Sequence, residues 1–306
     1  MSEAFDIAII GGGPGGYSTA LRAAELGKRV AMIERDATLG GTCLNRGCIP
    51  SKALISATHA IDSIRHAGEL GISATINGID YGTLHDYKKR IVDTMTQGLA
   101  GLLAHRGVTV FRGVASITGA ARPITVHIAA PADGQDVQRS VRSDVPEDIG
   151  PSYDITAQDV VLAMGSAPRQ LPGEPFRGAI IDSTRAMSMA MPHNAVIIGA
   201  GAIAAEFASM WNAAGCKVTM LIRKDRVLSG WDRRAGVTLT RELKRHGIDV
   251  IDRSTVTHID TGVNMGALVH YTSAKDGGST EHIAEGEFVL VAIGRDPLTS
   301  DRKSTR

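Results

Sequence analysis

Residues 5–35 read FDIAIIGGGPGGYSTALRAAELGKRVAMIER, in the order strand, glycine-rich turn, helix, strand. The apolar run IAII predicts a buried strand, and the segment after the glycines has the apolar spacing of a helix. Gly11, Gly13 and Gly16 form a GxGxxG pattern, which allows a tight turn and close approach of a pyrophosphate. Glu34 ends the second strand, where a carboxylate can accept hydrogen bonds from a ribose hydroxyl. The unit therefore predicts a dinucleotide site with its phosphates at the helix N-terminus.

The same arrangement recurs over residues 194–224, NAVIIGAGAIAAEFASMWNAAGCKVTMLIRK. Gly199, Gly201 and Ala204 form a GxGxxA pattern between an apolar strand and a helix. Two dinucleotide units in one chain predict a flavin and a nicotinamide coenzyme, with hydride passing from one to the other.

The second unit lacks the acid of the first. The position equivalent to Glu34 is Ile222, which is followed by Arg223 and Lys224. A carboxylate repels a 2′-phosphate, whereas arginine pairs with phosphate oxygens in a bidentate fork. These three residues therefore predict an NAD(P) site that prefers NADP. The alternative is a solvated basic turn that only aids solubility.

A third motif, GGTCLNRGCIPSKAL at residues 40–54, contains two of the three cysteines. Apolar residues after it recur at near-helical spacing, so Cys43 and Cys48 are expected at or before a helix N-terminus, which favours the thiolate. Such a pair can cycle between disulfide and dithiol. One alternative is zinc, but zinc normally needs four ligands and no second pair or histidine cluster is nearby, so no metal site is predicted. The other alternative is two unrelated buried thiols. The third cysteine, Cys216, is predicted to be an inert core thiol.

Composition excludes several classes of protein. A length of 306 residues suits about two domains, and a hydrophobic content of 43% is enough to fill real cores. The net charge is +1 and there is no long basic run, so no nucleic-acid partner is predicted. The N-terminus lacks the basic region of a signal peptide, and no apolar run approaches the roughly 18 residues of a membrane span. We therefore expect a cytoplasmic protein without a membrane partner.

The cysteine motif resembles the redox-active disulfide motif of the flavoprotein disulfide reductases, the class I pyridine nucleotide-disulfide oxidoreductases. Within that family it is most similar to the motif of dihydrolipoamide dehydrogenases, because glutathione reductases usually have a second lysine in place of Ser51. The resemblance extends over nearly the whole chain, through GVASI at 113–117, VLAMGSAPRQLPG at 161–173, DSTRAM at 182–187 and VLVAIGRDP at 289–297. The nicotinamide motif differs: dihydrolipoamide dehydrogenases usually have an acid at the position of Ile222 and use NAD, whereas glutathione reductases have an arginine like Arg223 and use NADP.

The resemblance implies FAD as the flavin and gives roles to the site residues. Cys43 would be the interchange thiol that attacks the dithiol or disulfide substrate, and Cys48 would contact the flavin in a charge-transfer complex. Lys52 would lie near flavin N5 and pair with Glu206; the alternative is an ordinary surface pair or two solvated charges. The other cofactor positions that the resemblance implies are Gly41, Thr42, Gly113, Ala115, Ala163 and Gly165 for FAD, and Gly294 and Arg295 for the nicotinamide side.

The predicted fold is α/β, with two Rossmann-like dinucleotide-binding domains. Residues 1–168 would form the FAD-binding domain with the cysteine pair, and residues 169–293 the NAD(P)-binding domain. Residues 294–306 would be a truncated tail, because family members continue into an interface domain that carries a histidine general base; that C-terminal domain is expected to be missing. The last residues, DRKSTR, can be back-translated to the start of a common sequencing adaptor. Hypothetically, 301–306 are therefore not native; finding these codons in the source genome would contradict this.

The leading functional hypothesis is an FAD-dependent disulfide oxidoreductase of the dihydrolipoyl dehydrogenase type. Its substrate would be a lipoyl group or a small disulfide, and its partners a second copy of the chain and a 2-oxo acid dehydrogenase complex. One alternative is an NADPH-dependent reductase of a low-molecular-weight disulfide. Another is a flavin-binding fragment without turnover, because the expected histidine base is absent from this sequence.

Overall fold

The computed structural model describes residues 3–119, 121–131, 133, 135, 137–140, 147–263, 266–274 and 280–299. The hypothesis about residues 301–306 falls outside these residues. The described residues form two compact units. The first unit contains those within 3–50, 89–166 and 297–299, and the second contains those within 51–88 and 167–296.

Seven helices occur among the described residues. They are α1 (Pro14–Glu25), α2 (Gly41–Arg46), α3 (Cys48–Arg65), α4 (Tyr81–His105), α5 (Ser183–Ala186), α6 (Ala202–Ala213) and α7 (Arg233–Arg245), and a short 3-10 helix (Ala67–Leu70) follows α3.

An eight-stranded sheet forms the first unit. Its strands are β1 (Glu3–Ile10), β2 (Val30–Glu34), β3 (Thr109–Arg112), β4 (Val114–Ile117), β5 (Ile124–Ala129), β6 (Gln138–Ser140), β7 (Glu147–Asp148) and β8 (Ser152–Leu162), in the spatial order β4-β5-β8-β1-β2-β3-β6-β7. β8, β1, β2 and β3 are parallel, and antiparallel strands extend both sides. The first predicted strand–helix–strand motif corresponds to β1, α1 and β2.

The second unit contains a five-stranded parallel sheet. Its strands are β10 (Ile180–Ile181), β11 (Asn194–Ile198), β12 (Lys217–Leu221), β13 (Asp249–Ile251) and β17 (Phe288–Val291), in the order β10-β17-β11-β12-β13. A three-stranded antiparallel sheet contains β14 (Ser254–Val263), β15 (Gly266–Ser273) and β16 (Glu281–Gly286), and β9 (Ser166–Pro168) pairs with β18 (Arg295–Pro297). The predicted α/β class with two Rossmann-like units is confirmed.

Small residues let α1 and α6, the helices that follow the two glycine motifs, lie close to their sheets. On α1 the buried residues are Gly16, Ala20 and Ala23, which share one helix face. On α6, Ala204 and Ala208 are fully buried beside Phe207 and Trp211, whose rings meet edge to face at 5.3 Å. The strands beneath are buried on both faces, as in other parallel sheets: all five residues of β2 are buried.

Residues 51–88 pack with the second unit, although the sequence places them in the predicted FAD-binding domain. The cause is the apolar face of α3: Leu54 is 2% exposed, and Leu54 and Ile55 belong to the core that contains Phe207 and Trp211. The domain boundary near residue 168 stays a prediction. Among the described helices, none combines the length and the apolar character that crossing a membrane would need.

The core of the second unit can be tested at Ile197, which is fully buried in the central strand β11. We expect Ile197→Ala to lower the free energy of unfolding by about 2–5 kcal/mol, because it removes buried methyl groups and leaves a cavity. Urea denaturation followed by circular dichroism measures this. The control is Val237→Ala on α7, where Val237 is 49% exposed, and it should change stability by less than about 0.5 kcal/mol. Equal losses in the two variants would contradict the assignment of Ile197 to the core.

Candidate functional site

The first glycine motif forms a turn between β1 and α1 that leaves no room for a side chain at Gly11 or at Gly16. Gly11 has φ +107°, and a Cβ atom there would lie 2.2 Å from the carbonyl oxygen of Ala163 at the end of β8. A Cβ atom on Gly16 would lie 1.8 Å from the carbonyl oxygen of Gly11. The helix α1 begins after Gly13, and no side chain caps it. Its first N–H groups therefore face the ends of β1 and β8, where a dinucleotide pyrophosphate fits.

Glu34 lies beside this turn at the end of β2 and is 8% exposed. One carboxylate oxygen accepts a hydrogen bond from the Gly12 N–H at 2.7 Å, and the other accepts one from the Asp36 N–H at 2.9 Å. A carboxylate has about four acceptor positions, so it can still accept a ribose hydroxyl. Its contact with Gly12 also ties the acid to the glycine turn.

The loop before the cysteines closes onto the same turn. Gly40 donates its N–H to the carbonyl oxygen of Gly12 at 2.9 Å, and a Cβ atom on Gly41 would lie 2.7 Å from the Cα atom of Gly13. Gly113 is close as well, because its N–H donates to the carbonyl oxygen of Glu34 at 2.9 Å.

The first unit contains ten of the residues expected to bind the flavin, and the contacts above bring Gly11, Gly13, Gly16, Glu34, Gly41, Gly113 and Ala163 together around the carboxyl ends of β1, β2 and β8. Of the others, Thr42 lies in α2, Ala115 lies in β4, and Gly165 accepts a hydrogen bond from the Leu298 N–H at 3.0 Å.

Cys43 and Cys48 lie on two successive helices, not on one. Cys43 is the third residue of the short helix α2, and Cys48 is the first residue of α3. Gly47 separates the helices, and a Cβ atom there would lie 2.8 Å from the carbonyl oxygen of Thr42. The two cysteines are therefore five positions apart, with the end of α2 and Gly47 between them. Cys43 is partly buried against the core of the first unit, whereas Cys48 is exposed; both are thiols in the structure.

Cys216 lies apart from this pair, between α6 and β12, and is 3% exposed. Burial and, to a smaller extent, the charge of Glu287 raise the pKa of its thiol to about 12. Its Sγ atom lies 3.5 Å from the carbonyl oxygen of Lys217. A buried, protonated thiol is a poor nucleophile, which agrees with its predicted inert role.

Lys52 and Glu206, expected as a pair, are in contact in the second unit. The Nζ atom of Lys52 on α3 donates to Oε1 of Glu206 on α6 at 2.7 Å. The lysine side chain is 57% exposed and the glutamate side chain 33% exposed. The ion pair is therefore partly solvated, and its value is geometric: it fixes the direction of the ammonium group at the first turn of α3.

The second glycine motif repeats the geometry of the first. Gly199 has φ +138°, and a Cβ atom there would lie 2.4 Å from the carbonyl oxygen of Ala292, which follows β17. Helix α6 begins after Gly201 without a side-chain cap, and Ala204 is fully buried behind it. A cavity of about 300 Å³ opens here, at the carboxyl ends of the neighbouring strands β11 and β17. Open parallel sheets bind ligands in crevices at the carboxyl ends of their strands, which is where this cavity lies.

Arg223 and Lys224, which follow β12, are exposed to solvent, unlike the preceding residue Ile222. Ile222 is fully buried in the core, whereas Arg223 and Lys224 are exposed. Neither basic side chain forms an ion pair with the described part of the chain, while the next acid, Asp225, pairs with Arg226 at 2.8 Å. Arg223 and Lys224 are therefore available to bind an anion. Ile222, at the position equivalent to Glu34, is buried and does not contact solvent.

The cavity wall contains residues that the sequence did not single out. They are Pro168, Ser183, Ala200, Ala202, Ile203, Val291, Ala292 and Ile293, beside the expected Gly201, Gly294 and Arg295. Most are small or apolar and have no chemistry of their own. Only their positions in the sequence could have indicated these lining residues. Ala200, Ala202 and Ile203 lie within or directly after the second glycine motif, and Ser183 lies in the DSTRAM segment.

Comparison with known proteins agrees with this geometry. The family model for pyridine nucleotide-disulphide oxidoreductases matches residues 5–305. The chain is 33% identical over 296 residues to a dihydrolipoyl dehydrogenase of Chlamydia pneumoniae and 37% identical over 303 residues to dihydrolipoyl dehydrogenase 3 of Pseudomonas aeruginosa, covering 96% and 98% of this chain but 57% and 60% of the relatives. The crystal structure of LpdA from Mycobacterium tuberculosis superposes with a TM-score of 0.80 at 26% identity, over 98% of this chain and 60% of that one.

The chain belongs to the pyridine nucleotide-disulphide oxidoreductase family. It spans about three-fifths of the length of these relatives.

The three cysteines should differ sharply in reactivity. In the reduced, folded protein at a pH below about 9, we expect iodoacetamide to alkylate Cys43 and Cys48 but not Cys216, because the pKa of Cys216 is raised to about 12 by burial. Peptide mass spectrometry after timed quenching measures the three sites separately. The control is the same reaction in denaturant, where all three sites should be labelled. Rapid labelling of Cys216 in the folded protein would contradict its burial.

Proposed function

We propose that this member of the pyridine nucleotide-disulphide oxidoreductase family passes electrons between a dithiol or disulfide substrate, the Cys43–Cys48 pair, FAD and NAD(P). The observation that carries the proposal is the position of the cysteines. The loop at Gly40–Gly41 touches the first glycine turn, and Cys43 follows two residues later, with Cys48 five positions beyond it. A thiol pair next to a dinucleotide cradle is the arrangement that flavin–thiol electron transfer needs.

The protein's own residues would bind and orient the flavin nucleotide. The uncapped N-terminus of α1 would face the pyrophosphate, and Glu34 would accept the ribose hydroxyl with the oxygen positions that Gly12 and Asp36 leave open. When bound, FAD supplies the two-electron chemistry that links thiols to a nicotinamide.

The thiols would perform the exchange with the substrate. A substrate dithiol reduces the Cys43–Cys48 disulfide: one substrate sulfur attacks Cys43 and releases Cys48 as a thiolate, and the second substrate sulfur then displaces Cys43. Two electrons and two protons leave the substrate, which becomes a disulfide. NAD(P)⁺ receives two electrons and one proton as hydride, and one proton goes to solvent. Cys43, which exchanges with the substrate, and Cys48, which leaves as a thiolate, would therefore have different tasks in one cycle.

Lys52 would act as a positioning residue. Its ammonium group is held by Glu206 at 2.7 Å and lies one helical turn after Cys48 on α3. A fixed cation near the thiol pair stabilises negative charge as the thiolate forms. This role, like the roles of the other site residues, is a proposal that the family resemblance supports.

A second candidate is an NADPH-dependent reductase of a small disulfide. Arg223 and Lys224, exposed and without an ion pair among the described residues, favour it, because a 2′-phosphate is the anion that would occupy this edge of a nicotinamide site. Electrons would then pass from NADPH through the flavin to the disulfide.

Partner and location are proposed on the same basis. The relatives named dihydrolipoyl dehydrogenase favour a lipoyl group as substrate. A homodimer and work with a 2-oxo acid dehydrogenase complex are proposed from the resemblance of the sequence motifs. A cytoplasmic location stays a prediction from the sequence.

Removing either thiol should abolish disulfide turnover without abolishing nucleotide oxidation. We expect Cys43→Ser and Cys48→Ser to lower NAD(P)H-dependent lipoamide reduction at least about a thousand-fold, because a hydroxyl cannot replace the exchanging thiol. Ferricyanide reduction by NAD(P)H, which does not need the thiols, should persist in both variants. Stopped-flow and steady-state absorbance measure both activities.

The matched control for the thiol variants is Cys216→Ala, which should keep lipoamide reduction. Lipoamide reduction that survives in Cys43→Ser would contradict the proposed thiol chemistry. Loss of both activities in every variant would instead indicate a failure to hold the flavin.

The basic pair should set coenzyme choice. We expect Arg223→Ala/Lys224→Ala to lower the ratio of kcat/KM for NADPH to that for NADH about tenfold or more, since each charged hydrogen bond to a phosphate is worth about 1.5–3 kcal/mol. Initial rates with the two coenzymes give the ratio. Arg241→Ala, which removes an exposed arginine of α7, serves as the control and should leave the ratio unchanged. An unchanged ratio in the double variant would show that the pair is only a solvated turn.

A further inference from the structure

The antiparallel sheet of β14, β15 and β16 has a polar face that the proposed function does not use. His258 on β14 and His270 on β15 are direct cross-strand partners. Side chains alternate between the two faces of a sheet along each strand. The next cross-strand pair, Ile259 and Val269, therefore points to the opposite face of the sheet, where both residues are buried in a core. None of the polar face belongs to the glycine motifs or to the 300 Å³ cavity.

Two carboxylates flank His270. Its Nε2 atom lies 3.1 Å from Oδ2 of Asp260, and its Nδ1 atom lies 3.4 Å from Oε2 of Glu281. The side chain is only 12% exposed, and Nδ1 is buried without a hydrogen bond among the described residues. A buried ring nitrogen without a partner carries a cost that the described protein atoms do not relieve.

This arrangement defines which nitrogen can bind a cation. When the ring carries a single proton, Asp260 favours that proton on Nε2, because its carboxylate accepts a hydrogen bond there. The Nδ1 lone pair then points toward Glu281, whose side chain is 53% exposed. Two electron-rich atoms that face each other favour a cation between them.

His258 and Glu281 complete the cluster. The His258 ring stacks on the His270 ring, with ring centroids 3.8 Å apart. The Nε2 atom of His258 lies 3.7 Å from Oδ2 of Asp260. Thr257 connects the opposite side, because its Oγ1 atom lies 3.4 Å from Nδ1 of His258 and 3.3 Å from Oε1 of Glu281. One ligand atom each from His258, His270 and Glu281 lies within 4.8 Å of the others.

We propose that His258, His270 and Glu281 bind a divalent transition-metal ion, with Asp260 orienting the His270 ring. Two imidazoles and one carboxylate are a ligand set that suits Zn²⁺ and its neighbours, and three protein ligands leave a fourth position for water. A carboxylate that accepts the other N–H of a ligating histidine is the usual support of such sites.

Binding requires one local movement. A metal ion lies in the plane of each imidazole that binds it, so two stacked rings cannot share an ion until one of them turns. His270 is held between two carboxylates, whereas the His258 side chain is 48% exposed and follows a register shift in β14. His258 is therefore the ring that turns, and the bound ion joins all three strands of the sheet.

The test is isothermal titration of the tag-free protein with Zn²⁺ after its accessible thiols are blocked with N-ethylmaleimide, so that the Cys43–Cys48 pair cannot bind zinc. We expect one ion per chain, with a dissociation constant in the micromolar range and a zinc-dependent rise in Tm. His258→Gln and Glu281→Gln should weaken binding by at least tenfold, and Asp260→Asn by about 10–100-fold. Two nitrogen couplings in the electron paramagnetic resonance spectrum of the Cu²⁺-loaded protein would identify the imidazoles.

The matched control is His193→Gln, which removes an exposed histidine whose Nδ1 atom lies 3.0 Å from a carboxylate oxygen of Glu287. It should leave zinc affinity unchanged. Unchanged zinc affinity in both His258→Gln and Glu281→Gln would overturn the proposal. So would the absence of zinc binding together with a doubly protonated His270 in ¹⁵N spectra, because a proton would then be the charge between the ring and Glu281.

Discussion

A steric constraint repeated in both units underlies the rest of the structure: the first glycine of each motif lies against the carbonyl group of a neighbouring strand. At Gly11 the contact is with Ala163, and at Gly199 it is with Ala292. Any side chain would overlap a backbone atom and push the helix away from the strand ends. The helix N-terminus then could not reach a pyrophosphate held there. Both nucleotide cradles thus depend on the absence of two methyl groups.

The parts of the fold that follow from local pattern could be predicted from the sequence. The two strand–turn–helix–strand units were readable because buried parallel strands are continuously apolar and the glycine spacing is restrictive. The contact of Lys52 with Glu206 was expected only through family resemblance, since 154 positions separate them and no local rule joins them. The exposure of Arg223 beside buried Ile222 also needed the structure, because sequence shows charge but not accessibility.

Other features depend on long-range packing that the sequence does not display. The segment 51–88 joins the second unit because one face of α3 is apolar, yet nothing in that periodicity says which core the face covers. The short helix α2, which contains Cys43, was not expected, because the apolar spacing predicts only the helix that follows the cysteines. The cluster around His270 needs three strands in one register, and its residues are scattered over 24 positions, from Thr257 to Glu281.

The tight space at Gly47 also bears on the thermodynamics of the thiol pair. Closing a loop normally costs conformational entropy, because the chain must bring its ends together. Cys43 and Cys48 are only five positions apart and each lies in a helix, so folding has already removed most of the freedom of the chain between them. The balance between dithiol and disulfide is therefore set by the chemistry of the sulfurs and their surroundings, and little by chain freedom. A Cβ atom at position 47 would lie 2.8 Å from the carbonyl oxygen of Thr42, so a larger residue there would shift α2 against α3 and make the dithiol the easier state to keep.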